Sequence, residues 1–184
     1  MTKRKLLPKK NQSGFTMIEL LVGIFIIAMI SGIFLANYRS SDENSKLKNA
    51  ADKFASDIRL AENYTLGSRK HLAGIDPPDV PSGGWGVYLN IAESAGVYKI
   101  FADKNANRLY DSGEEEKEFV LPDGVLFSAT TKGDQAVIVF MPPDPDTFIN
   151  GGRPENITIT LHYSRAGTIA YVYVNSEGLV ESTY

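Results

Sequence analysis

From Phe15 to Ala36 the chain runs for 22 residues with one charged side chain, Glu19. A helix rises about 1.5 Å per residue, so this length covers the roughly 30 Å hydrocarbon core of a bilayer. A helix in a soluble core is seldom apolar on every face for so long. The segment is therefore expected to span a membrane. A carboxylate inside a span costs at least about 2.5–3.5 kcal/mol at the bilayer centre, which marks its position as functional by default. Glu19 either snorkels to the interface without a partner or finds a positive charge within the membrane.

The residues before the run hold Lys3, Arg4, Lys5, Lys9 and Lys10 and no acid. By the positive-inside rule that end stays in the cytoplasm and the C-terminal part goes out. A secretory signal has about 7–15 apolar residues followed by its cleavage site. Here the run is longer, and the candidate cleavage point, Gly14, precedes it. The ordered string Gly14-Phe15-Thr16-Met17-Ile18-Glu19-Leu20-Leu21, continued by an unbroken apolar helix, resembles the N-terminal processing motif of type IV pilins and pseudopilins. The resemblance implies that a prepilin peptidase cuts after Gly14 and that Phe15 becomes an N-methylated N-terminus. It also implies that Glu19 pairs with the Phe15 amine of a neighbouring subunit. Opposite charges in low dielectric attract strongly, so one residue would reward docking into a fibre and set its axial register.

The 184 residues suggest one globular domain beside the helix. The formal charge is −3, with 19 Lys and Arg against 22 acids, and removal of the five leader cations makes the remainder more acidic still. A chain of that balance is poorly suited to phosphate-backbone binding, which needs a basic patch or stripe. There is no cysteine, so no disulfide can staple an exported domain. Many pilins carry one near the C-terminus, and this chain departs from that pattern.

Asn37 to Asp42 reads as a polar joint. Beyond it Leu47, Ala51, Phe54, Ile58, Ala61 and Thr65 recur at spacings of four and three, a helical stripe with one polar member. Neither Pro nor Gly interrupts the chain between Ile33 and Leu66, which predicts one helix from Phe15 to about Leu66 with Gly67 as its C-cap. Gly23 and Gly32 would permit close helix approach in the membrane half or act as local soft points. Asp76–Gly86 has loop composition. Strands are predicted at Gly86–Ile91 and Val97–Ala102, paired around Glu93–Gly96. Others are predicted at Glu118–Leu121 and Val125–Ser128, around Pro122-Asp123-Gly124, and at Ala136–Met141, Ile157–Tyr163, Thr168–Val174 and Leu179–Glu181. Pro142–Pro154 is expected to be a long exposed loop.

The expected fold class is α+β. A long N-terminal helix, half transmembrane and half amphipathic, packs on an antiparallel β-sheet domain, as the pilin resemblance implies. The expected organisation is a leader at 1–14, a transmembrane helix at 15–36, its amphipathic continuation at 37–67 and an extracytoplasmic β-rich domain at 68–184. A closer likeness, to H-type minor pseudopilins of type II secretion, rests on three stretches. They are Gly84-Trp85-Gly86-Val87, Phe101-Ala102-Asp103 with Asn105, Asn107, Tyr110 and Asp111, and Val172 to Val180. It implies a minor structural subunit of a pseudopilus or type IV pilus supporting protein secretion. Its partners would be other pilins through the N-terminal helix, the prepilin peptidase and the inner-membrane assembly platform. Its place would be the bacterial inner membrane, single-pass, with the C-terminal domain outside, and then the assembled fibre. The alternative is a minor pilin of a DNA-uptake or adhesion pilus.

Asp103, Asn105, Asn107, Asp111 and Glu114 place oxygen-bearing side chains at positions 1, 3, 5, 9 and 12 of a loop, with the Leu109 carbonyl at position 7. That is the ligand spacing of a twelve-residue Ca²⁺ loop. Arg108 stands at position 6, where the pattern demands glycine for a left-handed turn. The other reading is a polar turn whose Asp and Asn bond their own backbone. Glu114, Glu115, Glu116 and Glu118 read as a solvated edge, Trp85 as a packing anchor, and His71 and His162 as ordinary surface or core residues. No nucleophile elbow or phosphate loop occurs, and the chain is not expected to be an enzyme.

Overall fold

The computed structural model describes residues 14–71, 79–143, 146–152, 155–164 and 167–184, with the backbone alone at 35–40. Residues 1–13 of the expected leader, the side chains at 37–40 of the polar joint and parts of both expected loops lie outside the described residues. The chain divides into two units, residues 1–40 and 41–184.

Helix α1 is assigned from Met17 to Leu66. Within the first unit, Met17–Phe34 has a mean hydropathy of 2.5 and none of it is buried. Among the described residues this is the one helix long and apolar enough to cross a membrane. Within the second unit the expected stripe is buried throughout: Leu47, Ala51, Phe54, Ile58, Ala61 and Thr65 are all 4% exposed or less. The helix ends in a Schellman motif, in which the Arg69 N–H donates to the Tyr64 carbonyl (2.9 Å) and the Ser68 N–H to that of Thr65 (3.0 Å). Gly67 caps the helix as expected, but the left-handed residue is Ser68, at φ 46°.

Among the described residues nine strands follow, in two antiparallel sheets. They are β1 (Trp85–Asn90), β2 (Val97–Ala102), β3 (Glu115–Val120), β4 (Val125–Thr130), β5 (Gln135–Met141), β6 (Asp146–Ile149), β7 (Ile157–Tyr163), β8 (Ile169–Val174) and β9 (Val180–Thr183). The first sheet runs β3-β2-β1-β5-β6 and the second β4-β7-β8-β9. Alternation puts Val87, Leu89, Ile100 and Ile138 of one sheet and Phe127, Ile159, Leu161 and Val172 of the other into a common core with the α1 stripe. Phe54 joins them, with its ring edge-on to Tyr98 of β2 at 4.8 Å and to Phe127 of β4 at 5.0 Å.

Polar ties fix the helix on the sheets. The buried Asp57 carboxylate accepts from the Tyr98 hydroxyl and from Lys53, each at 2.5 Å. Burial, then the bond to Asp57, holds the Tyr98 phenol far above its usual range. The Thr65 hydroxyl donates to the Phe140 carbonyl (3.1 Å) and accepts from the Trp85 N–H (3.0 Å). Trp85 is fully buried and its indole donates to the Arg69 carbonyl, so it is the anchor expected of it.

Three expectations are corrected. A turn of helix, α2 (Ile91–Ser94), joins β1 to β2, because the Asn90 side chain accepts from the Ala92 and Glu93 amides and caps it. Strand β6 lies inside the stretch expected to be exposed loop. Its alternation is too short to see between prolines, yet Thr147, Phe148 and Ile149 are buried against β5. The acidic run is not a simple solvated edge: it opens β3, Glu114 is buried, and Glu116 pairs with Arg69 at 2.8 Å and lies 3.0 Å from His71 Nδ1.

Candidate functional site

Two candidate sites came from the sequence. The first is the start of α1. Thr16 stands immediately before the helix and Glu19 is its third residue. The Thr16 N–H and hydroxyl both donate to Glu19 Oε2, at 2.9 and 2.8 Å, and the Glu19 N–H donates back to the Thr16 hydroxyl at 3.3 Å. This is a capping box, and it satisfies helix-end amides that have no intrahelical partner. Sequence reasoning missed it, although Thr-x-x-Glu before an apolar run is its signal. The box holds the carboxylate against Thr16 in the first turn of the helix. Among the described residues only Oε2 takes part. Phe15 is almost fully exposed. A β-carbon added at Gly14, Gly23 or Gly32 would meet nothing within 4 Å, so the chain's own packing does not require glycine at these positions.

The second is the loop from Asp103 to Glu114, which joins β2 to β3. It begins in a fixed place because the Asp103 backbone is bonded on both sides, donating to Gly84 and accepting from Gly83. Its side chain packs so closely on Gly83 that a β-carbon there would stand 2.2 Å from the carboxylate. Asp103 is fully buried, and its oxygens accept from the Asn107 N–H (3.2 Å) and the Arg108 N–H (2.8 Å). Glu114 accepts from the Lys104 and Asp111 amides at 2.9 and 3.1 Å. Burial pushes the Glu114 carboxyl above the usual carboxylate range; those two amides oppose the shift, and the Asp103 and Asp111 charges add to it. Asn105 and Asn107 accept from amides two residues on, at 3.0 and 2.8 Å, and both donate to Asp111 Oδ2.

The six expected ligand residues lie in one loop, where Asp103, Asn105, Asn107 and Glu114 turn oxygens to the loop's own backbone N–H groups and Asp111 accepts from the two Asn side chains. Among the described residues no three His, Cys, Asp or Glu side chains converge as a metal-holding group. Arg108 does adopt the left-handed turn expected to resist it, at φ 63°. Its guanidinium lies over Phe148 at 4.0 Å and its Nε approaches Met141 Sδ at 3.1 Å, contacts a glycine would lack. The loop also covers a small second core on the outer face of the first sheet, where Phe101, Val137 and Val139 meet Tyr88, Tyr110 and Met141.

The group of Arg69, the buried His71 and Glu116 beside Trp85 was also missed. Glu116 lies far in sequence from Arg69 and His71, and no local spacing announces the group.

No curated protein and no solved structure matches the chain. Residues 9–35 match the family model of the prokaryotic N-terminal methylation motif, which contains Gly14, Phe15 and Glu19. The motif's family is structural rather than enzymatic, and its proteins assemble with other pilins after prepilin peptidase processing. With an exposed apolar helix behind the motif and antiparallel sheets beyond it, the chain carries the mark of a type IV pilin-like protein of a pilus or pseudopilus.

Proposed function

We propose that the chain is a minor structural subunit of a type II secretion pseudopilus or type IV pilus. It would be inserted single-pass in the inner membrane through residues 15–36, with the helix continued over 37–67 and the domain 68–184 outside. The peptidase would remove 1–14, Phe15 would be N-methylated, and Glu19 would accept the Phe15 amine of the next subunit. The observation that carries this reading is that a motif-bearing helix start exposes every large apolar side chain from Met17 to Phe34. The open space at Gly14, Gly23 and Gly32 supports it, because their smallness then serves contacts outside the chain. Mass spectrometry of the membrane-extracted protein, coexpressed with its peptidase, tests it. The expected N-terminus is methylated Phe15; an intact Met1 or a start beyond Ala36 overturns the reading.

A calcium ion in the 103–114 loop is a separate proposal, supported by the ligand spacing and the left-handed turn at Arg108. Binding would draw Asp103 and Glu114 oxygens away from backbone amides, which sets a cost on affinity.

A further inference from the structure

On the outer face of the first sheet, α2 and the 103–114 loop border a cleft of about 390 Å³. That is the size range of small-ligand sites. On its wall Tyr88 and Tyr110 stack at 4.3 Å, with their planes 22° apart. Around them stand the carboxylates of Glu93, Glu118 and, at the rim, Glu115, which accepts from the Tyr110 hydroxyl at 3.1 Å. The single ammonium among the described residues of the cleft, Lys99, is already engaged: it donates to the Tyr110 hydroxyl at 3.3 Å and lies 3.6 Å from Glu118. Glu93 has no ion-pair partner among the described residues. The cleft is therefore aromatic and carries an excess of negative charge.

We propose that this cleft receives an arginine side chain of a partner polypeptide, with its guanidinium against the tyrosine pair and between Glu93 and Glu118. A guanidinium is planar and weakly hydrated, stacks on aromatic rings and bonds carboxylates in a fixed fork; an ammonium does this poorly. The domain builds the same combination from its own residues, with Arg69 over Tyr64 at 3.8 Å while paired to Glu116. This cleft has the rings and the acids, with the Lys99 ammonium 5.4 Å from the Tyr110 ring centre but no arginine. The inference is independent of the fibre in which the subunit serves.

The test is a titration of the full-length chain in detergent micelles with acetyl-Gly-Arg-Gly-amide, followed by backbone amide shifts around Tyr88, Glu93 and Tyr110. The lysine and citrulline analogues run beside it. The expected result is saturable binding of the arginine peptide, with the citrulline peptide about tenfold weaker or worse and lysine intermediate. The variant Glu93→Gln/Glu118→Gln should weaken arginine binding by about tenfold while Trp85 emission stays unchanged, which reports an intact core. Because Glu93 is exposed on α2, Glu93→Gln alone gives the same comparison should the double variant misfold. Citrulline or lysine binding as tightly as arginine, or the carboxylate variants binding arginine at full strength, overturns the proposal.

Discussion

The two parts of α1 obey opposite rules. From Met17 to Phe34 no part of the helix is buried, and glycines sit where larger residues would fit. From Leu47 to Thr65 one stripe is buried against two sheets. Gly86 of the neighbouring sheet is there because nothing else fits: a β-carbon on it would stand 2.5 Å from the Ile138 carbonyl. One part finds its partners within the chain. The other must find them in lipid or in other chains. Substitutions in the second part should therefore appear as lost stability, and those in the first as lost assembly with stability unchanged.

Glu19→Val should break the comparison most visibly. The helix becomes more apolar, so insertion should not suffer, while incorporation of this subunit into fibres should fall by at least about tenfold as the buried charge partner is lost. Counting this subunit in sheared fibres, against its level in the membrane, checks both statements. Wild-type incorporation would mean that the capping box is the whole role of Glu19.

Phe54→Ala should destabilise the domain by about 3–5 kcal/mol, since it removes the ring that joins both sheets. Ile26→Ala, in the exposed part, should leave domain melting unchanged. Thermal unfolding of the two variants in one detergent tests the contrast directly, and equal losses would erase it.

Asp57→Asn should cost about 1–3 kcal/mol, because the Tyr98 hydroxyl and the Lys53 ammonium lose a charged acceptor. Tyr98→Phe should then add less on top of Asp57→Asn than it costs alone. A denaturant double-mutant cycle measures that coupling, and strict additivity would show that the buried contact contributes nothing specific.

The smallest effects belong to the 103–114 loop. Arg108→Gly should change stability by no more than about 1 kcal/mol, because relief of the left-handed backbone offsets the lost contact with Phe148. The calcium proposal predicts a higher melting temperature in millimolar Ca²⁺ than in chelator, with the difference abolished by Asp103→Ala. A ligand at one hundred times its Kd adds about 2.7 kcal/mol, and a weak site adds less. Equal melting with Ca²⁺ and chelator would leave the loop an ordinary polar turn.

Much of this was legible in advance because it is periodic or contiguous. The apolar run, the stripe from Leu47 to Thr65 and the alternation of Ile157, Ile159 and Leu161 each repeat a local geometry, and local geometry is written in spacing. The methylation motif is contiguous, so Gly14, Phe15 and Glu19 could be named without coordinates. The Thr16–Glu19 box is equally local, and Thr-x-x-Glu before the apolar run is its signal.

What escaped the sequence depends on distant partners. Strand β6 exists because β5 offers it an edge between Ile138 and Met141. Glu116 is not a surface acid because α1 ends where Arg69 and His71 can reach it. Arg108 occupies a glycine's conformation because Phe148, from a strand much later in the chain, supports its side chain. By itself the sequence determined the helix, its motif and the α+β class, which follow from hydrophobic period and ordered local chemistry. Only the tertiary structure decided the division into two sheets, the cleft beside Tyr88 and the direction in which each loop oxygen faces. Those depend on which strand edges and side chains meet across long stretches of chain, and no spacing along the chain encodes such meetings.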